Sequence, residues 1–370
     1  MAAHEEDPNR PDPHQDPMHP GDPLTSDAQL EKRVADTHGL PGDEMTALER
    51  MEAEIEPLVE NVSPDLAPAV EEFMAETALA NEAESAAVAD DSQFSGTAGL
   101  EGASFATAEV GPYISFQHVC KSFGDFVVLK DVSFFVNPGE TLCILGRSGV
   151  GKSVSLQIIM GFLKPDSGTV LVAGQEIAGL TEREMQQVRQ KVTMVFQSGA
   201  LFDSITVGEN VAFPLRERGD MREDQILLVV RGLLEMVGVA GMEDHLPSDL
   251  STGMKRSVAI ARALAAQPSA VLYDEPTTMV DPLMGNLLCE LIQRLKTQLH
   301  LTSIVVTHDM RFAEKLADRV VFLHEGRARF FGTMEEMRAS DDPILCEFLA
   351  MDELVLPGRP MPEAPVEKAL

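Results

Sequence analysis

Three things are scarce in this sequence, and each scarcity excludes a class of protein. Its 370 residues hold four cysteines, Cys120, Cys143, Cys289 and Cys346, scattered with no Cys-x-x-Cys pair. That spacing suits reduced thiols used for packing better than a disulfide framework or a zinc site. No run of about 18 apolar residues occurs, so the chain offers no membrane-spanning helix. Its first residues, MAAHEEDPNRPDPHQDP, are acidic and proline-rich where a secretory leader would be basic and then apolar, which predicts a cytoplasmic protein. Positive charge is also short, with 29 Lys and Arg against 60 Asp and Glu. The imbalance is local: residues 1 to 110 carry net −22 and residues 111 to 370 only −9. A tail of that charge argues against nucleic-acid binding and says little about the remainder.

Composition changes along the chain. Residues 1 to 45 lack apolar periodicity and are predicted to be disordered. Residues 45 to 90 turn to Ala, Glu, Met and Leu, which suits one or two helices broken near Pro57 and Pro64. Such helices either dock on a partner or form transiently within a solvated tail. Residues 92 to 110, rich in Gly, Ser, Thr and Ala, read as a linker. Order is expected from about Pro112, where YISFQHV and FVVLKDVSFFV alternate around Gly124-Asp125 as an antiparallel hairpin. Phe123, just before that turn, is open to two readings: a platform for adenine, or a core residue of the hairpin.

The centre of the chain is a strand running into Gly146-Arg147-Ser148-Gly149-Val150-Gly151-Lys152-Ser153, followed by a helical pattern. Successive backbone N–H groups can converge on phosphate oxygens only where no bulky Cβ intervenes, and a helix N-terminus adds positive potential. In such a loop Lys152 reaches the β- and γ-phosphates and the Ser153 hydroxyl binds Mg²⁺. A chance match to this pattern has odds of roughly one in a hundred in a chain this long.

Three further apolar strands end on polar groups: residues 192 to 196 on Gln197, 270 to 273 on Asp274-Glu275, and 303 to 306 on Thr307-His308-Asp309. Open α/β sheets bind ligands along the carboxyl ends of their strands. Hydrolysis of a γ-phosphate needs charge neutralisation, a bridging metal and a group that orients water. Lys152 and the loop amides suit the first, Ser153 and Asp274 the second, and Glu275 the third. Gln197 is placed to sense the metal and the attacking water, and His308 to contact the γ-phosphate. Residues 217 to 245 read as mostly helical, with Ile226, Val229, Leu233 and Val237 on one face, and Ser251 or Thr252 caps the helix after it.

Taken in order, the phosphate loop, Gln197, the stretch Leu250-Ser251-Thr252-Gly253-Met254, Asp274-Glu275, Asp281-Pro282 and His308 resemble the ATP-binding-cassette transporter ATPases. The resemblance covers residues 112 to 335. It implies an α/β fold: a P-loop (RecA-like) parallel-sheet core, an antiparallel β subdomain and a helical signature subdomain at about 200 to 265. The cassette would run from 111 to 340, between a mostly disordered acidic extension over 1 to 110 and a C-terminal extension over 341 to 370. It also implies that Phe123 stacks on adenine and that Gln197, with Ser153 and Asp274, lies at Mg²⁺. Two copies would pair head to tail as a homodimer, with each ATP between Lys152 of one copy and Ser251 and Gly253 of the other, near Asp281. Residues 197 to 215 and 246 to 255 look most like the ATPases of lipid transporters that work with Mce-domain proteins. That implies multi-span permease partners and a peripheral place on the inner face of the membrane. The alternatives are an importer of a polar solute such as an amino acid, and a soluble regulatory ATPase. Thr252 and Met279-Val280 depart from the family pattern, where Gly and Gly-Leu are usual.

Overall fold

A computed structural model describes residues 59–60, 62–90 and 111–353. The expectations for residues 1 to 58, the linker after 90 and the chain beyond 353 fall outside them.

Strands β1 (Ile114–Phe123) and β2 (Phe126–Val136) form the expected antiparallel hairpin, with Phe123 directly opposite Phe126. They join β4 (Ser167–Val172) and β5 (Gln175–Glu176) in a four-stranded antiparallel sheet of order β2-β1-β4-β5. The second sheet contains β3 (Thr141–Leu145), β6 (Val192–Val195), β7 (Ala270–Asp274), β8 (Thr302–Val306), β9 (Arg319–His324) and β10 (Arg327–Gly332). Its order is β10-β9-β3-β8-β7-β6, parallel except for β10. The middle strands β3, β7 and β8 are buried at every position, which is why they read as unbroken apolar runs with no alternation.

Side chains on one strand still point to opposite faces, and so the sheet separates two cores. Leu142, Ile144, Leu272, Ile304 and Val306 enter the core shared with the antiparallel sheet, including Phe116 and Phe134. Cys143, Leu145, Val271, Tyr273 and Val305 face the opposite core, built from helices. Those helices include α4 (Val207–Arg218), α5 (Glu223–Met236), α6 (Thr252–Ala265) and α7 (Pro282–Leu299), after α2 (Lys152–Ile159) and α3 (Glu182–Lys191) earlier in the chain.

Residues 217 to 245, expected to be mostly helical, hold the end of α4 and all of α5. Helix α4 ends at Gly219, left-handed at φ 75°, and α5 stops before Gly238, at φ 78°. Ile226, Val229, Leu233 and Val237 are nevertheless all buried together.

The acidic segment departs further from expectation. Helix α1 (Ala67–Asp90) with the turn before it is docked on the chain's own helices, where docking on a partner or transient helix in a solvated tail was expected. Val59, Val62, Leu66, Val70, Phe73, Met74, Ala75 and Ala78 all enter the helical core. Glu72 and Glu76 stay at the surface while Phe73, Met74 and Ala75 between them are covered. At about 1.5 Å per residue, α1 is some 36 Å long. It reaches from α5, where Ser63 N–H and hydroxyl donate to Glu235 at 2.6 and 3.0 Å, to the end of α7. There the buried Asn81 amide donates to the Leu299 carbonyl at 2.8 Å. Between them Gln267 donates to the Phe73 carbonyl at 2.8 Å, and Glu84 bonds Tyr113 and Lys191. Gly232 of α5 faces α1 so closely that a Cβ there would lie 1.9 Å from a Val70 methyl.

Helices α8 (Met310–Leu316), α9 (Met334–Arg338) and α10 (Pro343–Glu353) complete the described chain.

Candidate functional site

The loop after β3 depends on glycine at two places for different reasons. Gly146 sits at φ 148°, and a Cβ there would lie 2.4 Å from the Leu323 carbonyl oxygen. Gly151 is left-handed at φ 105°, packed so that a Cβ would meet Leu129 at 2.5 Å. Gly149 is also left-handed, at φ 81°, but open. Strand β3 enters and α2 leaves, so the backbone between them is held by the sheet on one side and the hairpin on the other.

Lys152 is 6% exposed, and its ammonium donates to the Gly146 and Arg147 carbonyls at 2.9 and 3.1 Å. It also lies 3.4 Å from Glu275 Oε1. The Ser153 hydroxyl donates to Asp274 Oδ1 at 2.8 Å. Burial pushes the Asp274 carboxyl above the usual carboxylate range, and the Ser153 hydrogen bond opposes that shift. Glu275 follows at φ 48°, outside regular strand geometry, its N–H donating to the Val306 carbonyl at 2.9 Å. The turn aims its carboxylate back at the loop, where Oε2 meets His308 Nδ1 at 2.6 Å and accepts from the Thr278 hydroxyl at 3.0 Å.

A cavity of about 510 Å³ is lined by Gly146, Arg147, Ser148, Lys152, Gln197, Glu275 and His308, with Thr278, Met310 and Phe348. Four of these five stretches converge because the strands before them are neighbours in the sheet and end on the same side, and Phe348 comes from the C-terminal helix. The other predicted positions lie apart. Phe123 is 46% exposed on the hairpin and does not line this cavity; Lys121 Nζ stands 5.5 Å from its ring centroid. Ser251, Gly253 and Asp281 do not line it either. Ser251 and Asp281 cap α6 and α7, accepting from the Met254 and Met284 N–H groups at 3.3 and 3.0 Å. Gly253 is packed so that a Cβ would meet Met284 at 2.7 Å.

Sequence reasoning missed Arg256. From α6 its buried guanidinium donates to the Glu275, Pro276 and Thr278 carbonyls at 2.9, 3.2 and 3.1 Å. Burial lowers its pKa and nearby Asp274 opposes the shift. The available signal was a charged residue just ahead of the apolar run VAIARALAA. Glu347 and Phe348 were not singled out as site residues either.

A family model described as "ABC transporter" matches residues 129–278. An intermembrane phospholipid transport ATP-binding protein, MlaF of Haemophilus influenzae, is 40% identical over 226 residues, spanning 61% of this chain and 86% of that protein. This chain belongs to the ABC transporter ATP-binding proteins. As a member it binds and hydrolyses ATP. A methionine import ATP-binding protein, MetN 1 of Rhodopseudomonas palustris, is 43% identical over 207 residues, 56% of this chain and 55% of that protein. Among solved structures, a dimeric post-hydrolysis ATP-binding cassette bound to ADP and Pi is similar at TM-score 0.57 and 32% identity, covering 60% of this chain and 98% of the other. No helix among the described residues is long and apolar enough to cross a membrane.

Proposed function

We propose that this ABC ATPase drives a phospholipid transporter, and that the cavity at residues 146 to 153 is where it turns over ATP. The observation that carries the lipid reading is the 40% identity to a phospholipid transport ATPase across 86% of that protein. In this reading the loop amides and Lys152 hold the phosphates, Phe123 takes the adenine, and Glu275 orients and deprotonates the attacking water. His308, bonded to that carboxylate at 2.6 Å, fixes its direction and contacts the γ-phosphate.

The residues suit Mg²⁺. Ser153 and Asp274 present a hydroxyl and a carboxylate oxygen 2.8 Å apart, both hard donors, with Gln197 across the cavity. Mg²⁺ is commonly held through one or two protein oxygens together with substrate phosphates, which such a pair of donors would allow. When bound, Mg²⁺ would neutralise charge between the β- and γ-phosphates.

Two copies pair head to tail, bringing Ser251, Gly253 and Asp281 of one to the ATP of the other; a dimeric cassette among the structural relatives supports this. Membrane permease subunits dock near residues 197 to 210, where Phe202 and Phe213 are exposed with ring centroids 5.2 Å apart, and an Mce-domain protein completes the assembly. The chain then sits on the inner face of the membrane through those subunits. Purification of the native complex tests the proposal. A multi-span permease, an Mce-domain protein and co-purifying phospholipid are expected. Recovery of a periplasmic solute-binding protein without lipid would favour the second reading, import of a polar solute such as an amino acid, which the 43% identity to a methionine import ATPase supports.

A further inference from the structure

Three basic side chains around the phosphate loop each meet a carboxylate. Glu275 serves two of them, Lys152 at 3.4 Å and His308 at 2.6 Å, and both contacts belong to the proposed chemistry. The other is Arg147, the second residue of the loop, whose Nη2 donates to Glu347 Oε1 at 2.8 Å across 200 positions of sequence. Nothing in the hydrolysis reading calls for Glu347.

Its helix is firmly placed beside the loop. On α10, Leu345 is 1% exposed and the Phe348 ring lies 4.7 Å from that of Phe322. Phe322 on β9 is the register partner of Leu145, the residue that leads into Gly146. At the start of α10, Asp342 accepts from Arg329 at 2.7 Å and from the Ile344 N–H at 2.9 Å. The strands that carry the phosphate loop therefore also carry α10, and Phe348 forms part of the cavity wall. The ion pair itself is different in kind. Its side chains are 55% and 61% exposed, so it is weakly held and exchangeable. A guanidinium fork fits phosphate as well as it fits carboxylate.

We propose that Glu347 is a positioning residue of the nucleotide site: it holds Arg147 on the C-terminal helix and yields it to the phosphates of ATP. The helix and the nucleotide then compete for one arginine. This rests on the reading of residues 146 to 153 as the ATP phosphate loop. Removing the carboxylate loosens the hold on the arginine and takes a negative charge away from an incoming polyanion, so binding should tighten.

The test is equilibrium binding of a fluorescent ATP analogue, N-methylanthraniloyl-ATP with Mg²⁺, to the full chain and its variants, with melting temperatures measured in parallel. Glu347→Gln should lower Kd about threefold to fivefold, the range an exposed pair permits, and the gain should shrink as salt rises. In an Arg147→Gln background the same substitution should change Kd by less than about twofold, because the exchange has lost its guanidinium. Damage to the fold weakens binding, so tightening is a result that a merely structural role for Glu347 does not produce. An unchanged or raised Kd in Glu347→Gln overturns the proposal, and so does equal tightening in both backgrounds, which would be simple charge repulsion. Lys152→Ala runs as a control. If it fails to weaken binding, the phosphate-loop reading falls, and this inference with it; if it weakens binding and Glu347→Gln does nothing, only the inference falls.

Discussion

Gly232 offers a test of the docked helix in which the sign of the effect carries the answer. Replacing glycine by alanine inside a helix ordinarily stabilises by about 0.8–1.0 kcal/mol, since alanine loses less backbone entropy. Here the new Cβ would lie 1.9 Å from a Val70 methyl and 3.8 Å from one of Val62. Val70 is fully buried and β-branched on a helix, so it has one favoured rotamer and no space in which to move. Overpacking of this kind costs typically 1–3 kcal/mol, and the rigidity of Val70 puts the cost near the top of that range. Subtracting the propensity gain leaves Gly232→Ala destabilising by about 2 kcal/mol in the full chain. For a domain of this size that is a fall in Tm of roughly 4 to 8 °C. In a Val70→Ala background the obstructing methyl is gone, and the same change should become stabilising. Urea and thermal melts of the four proteins give the coupling directly, expected near 3 kcal/mol. If Gly232→Ala stabilises the full chain, α1 is not seated on α5, and the account of residues 59 to 90 is wrong.

Glu275→Gln should keep nucleotide binding and lose turnover by at least about a hundredfold, read from ATPase rate beside equilibrium binding, whereas Lys152→Ala should weaken binding itself. Arg256→Ala leaves three carbonyls of the loop after β7 without their shared donor and should cost about 2–4 kcal/mol in a denaturant melt, with a drop in hydrolysis that Arg256→Lys only partly recovers. Thiol titration with a disulfide reagent at pH 8 should find the exposed Cys346 first and Cys120 next. Cys143 and Cys289 should react only on unfolding: burial raises both thiols, Cys289 to about 11, so neither forms thiolate at that pH.

What could be read from residues alone was what is local. The phosphate loop announces itself through glycines that admit no Cβ, and the strands ending at Gln197, Glu275 and His308 through apolar runs that stop at a polar group. Their convergence followed once the strands were taken as parallel neighbours. Helix α1 was not legible, because small residues such as Ala75 and Ala78 are buried beside acidic ones and no apolar stripe stands out. Its trace lay elsewhere, in Gly232, a glycine in the middle of a helix with no local reason to be there. Arg256 and Glu347 were hidden for a different reason: each acts on backbone or charge far away in sequence, and only the fold makes the pairing.

Helix α6 joins two places that a dimer would use separately. Its cap Ser251 and first-turn Gly253 are proposed to meet the partner's nucleotide. Arg256, three residues beyond Gly253 and about 4.5 Å further along the axis, grips the carbonyls behind the protomer's own Glu275. Neither end can shift without the other. Expressed as linkage, in the proposed dimer occupancy of one nucleotide site would change the free energy of filling the second through a lever less than one turn long. ATP dependence of turnover should therefore be sigmoidal, with a Hill coefficient between 1 and 2 for two sites, and Arg256→Lys, which loosens the grip without removing the charge, should bring it toward 1.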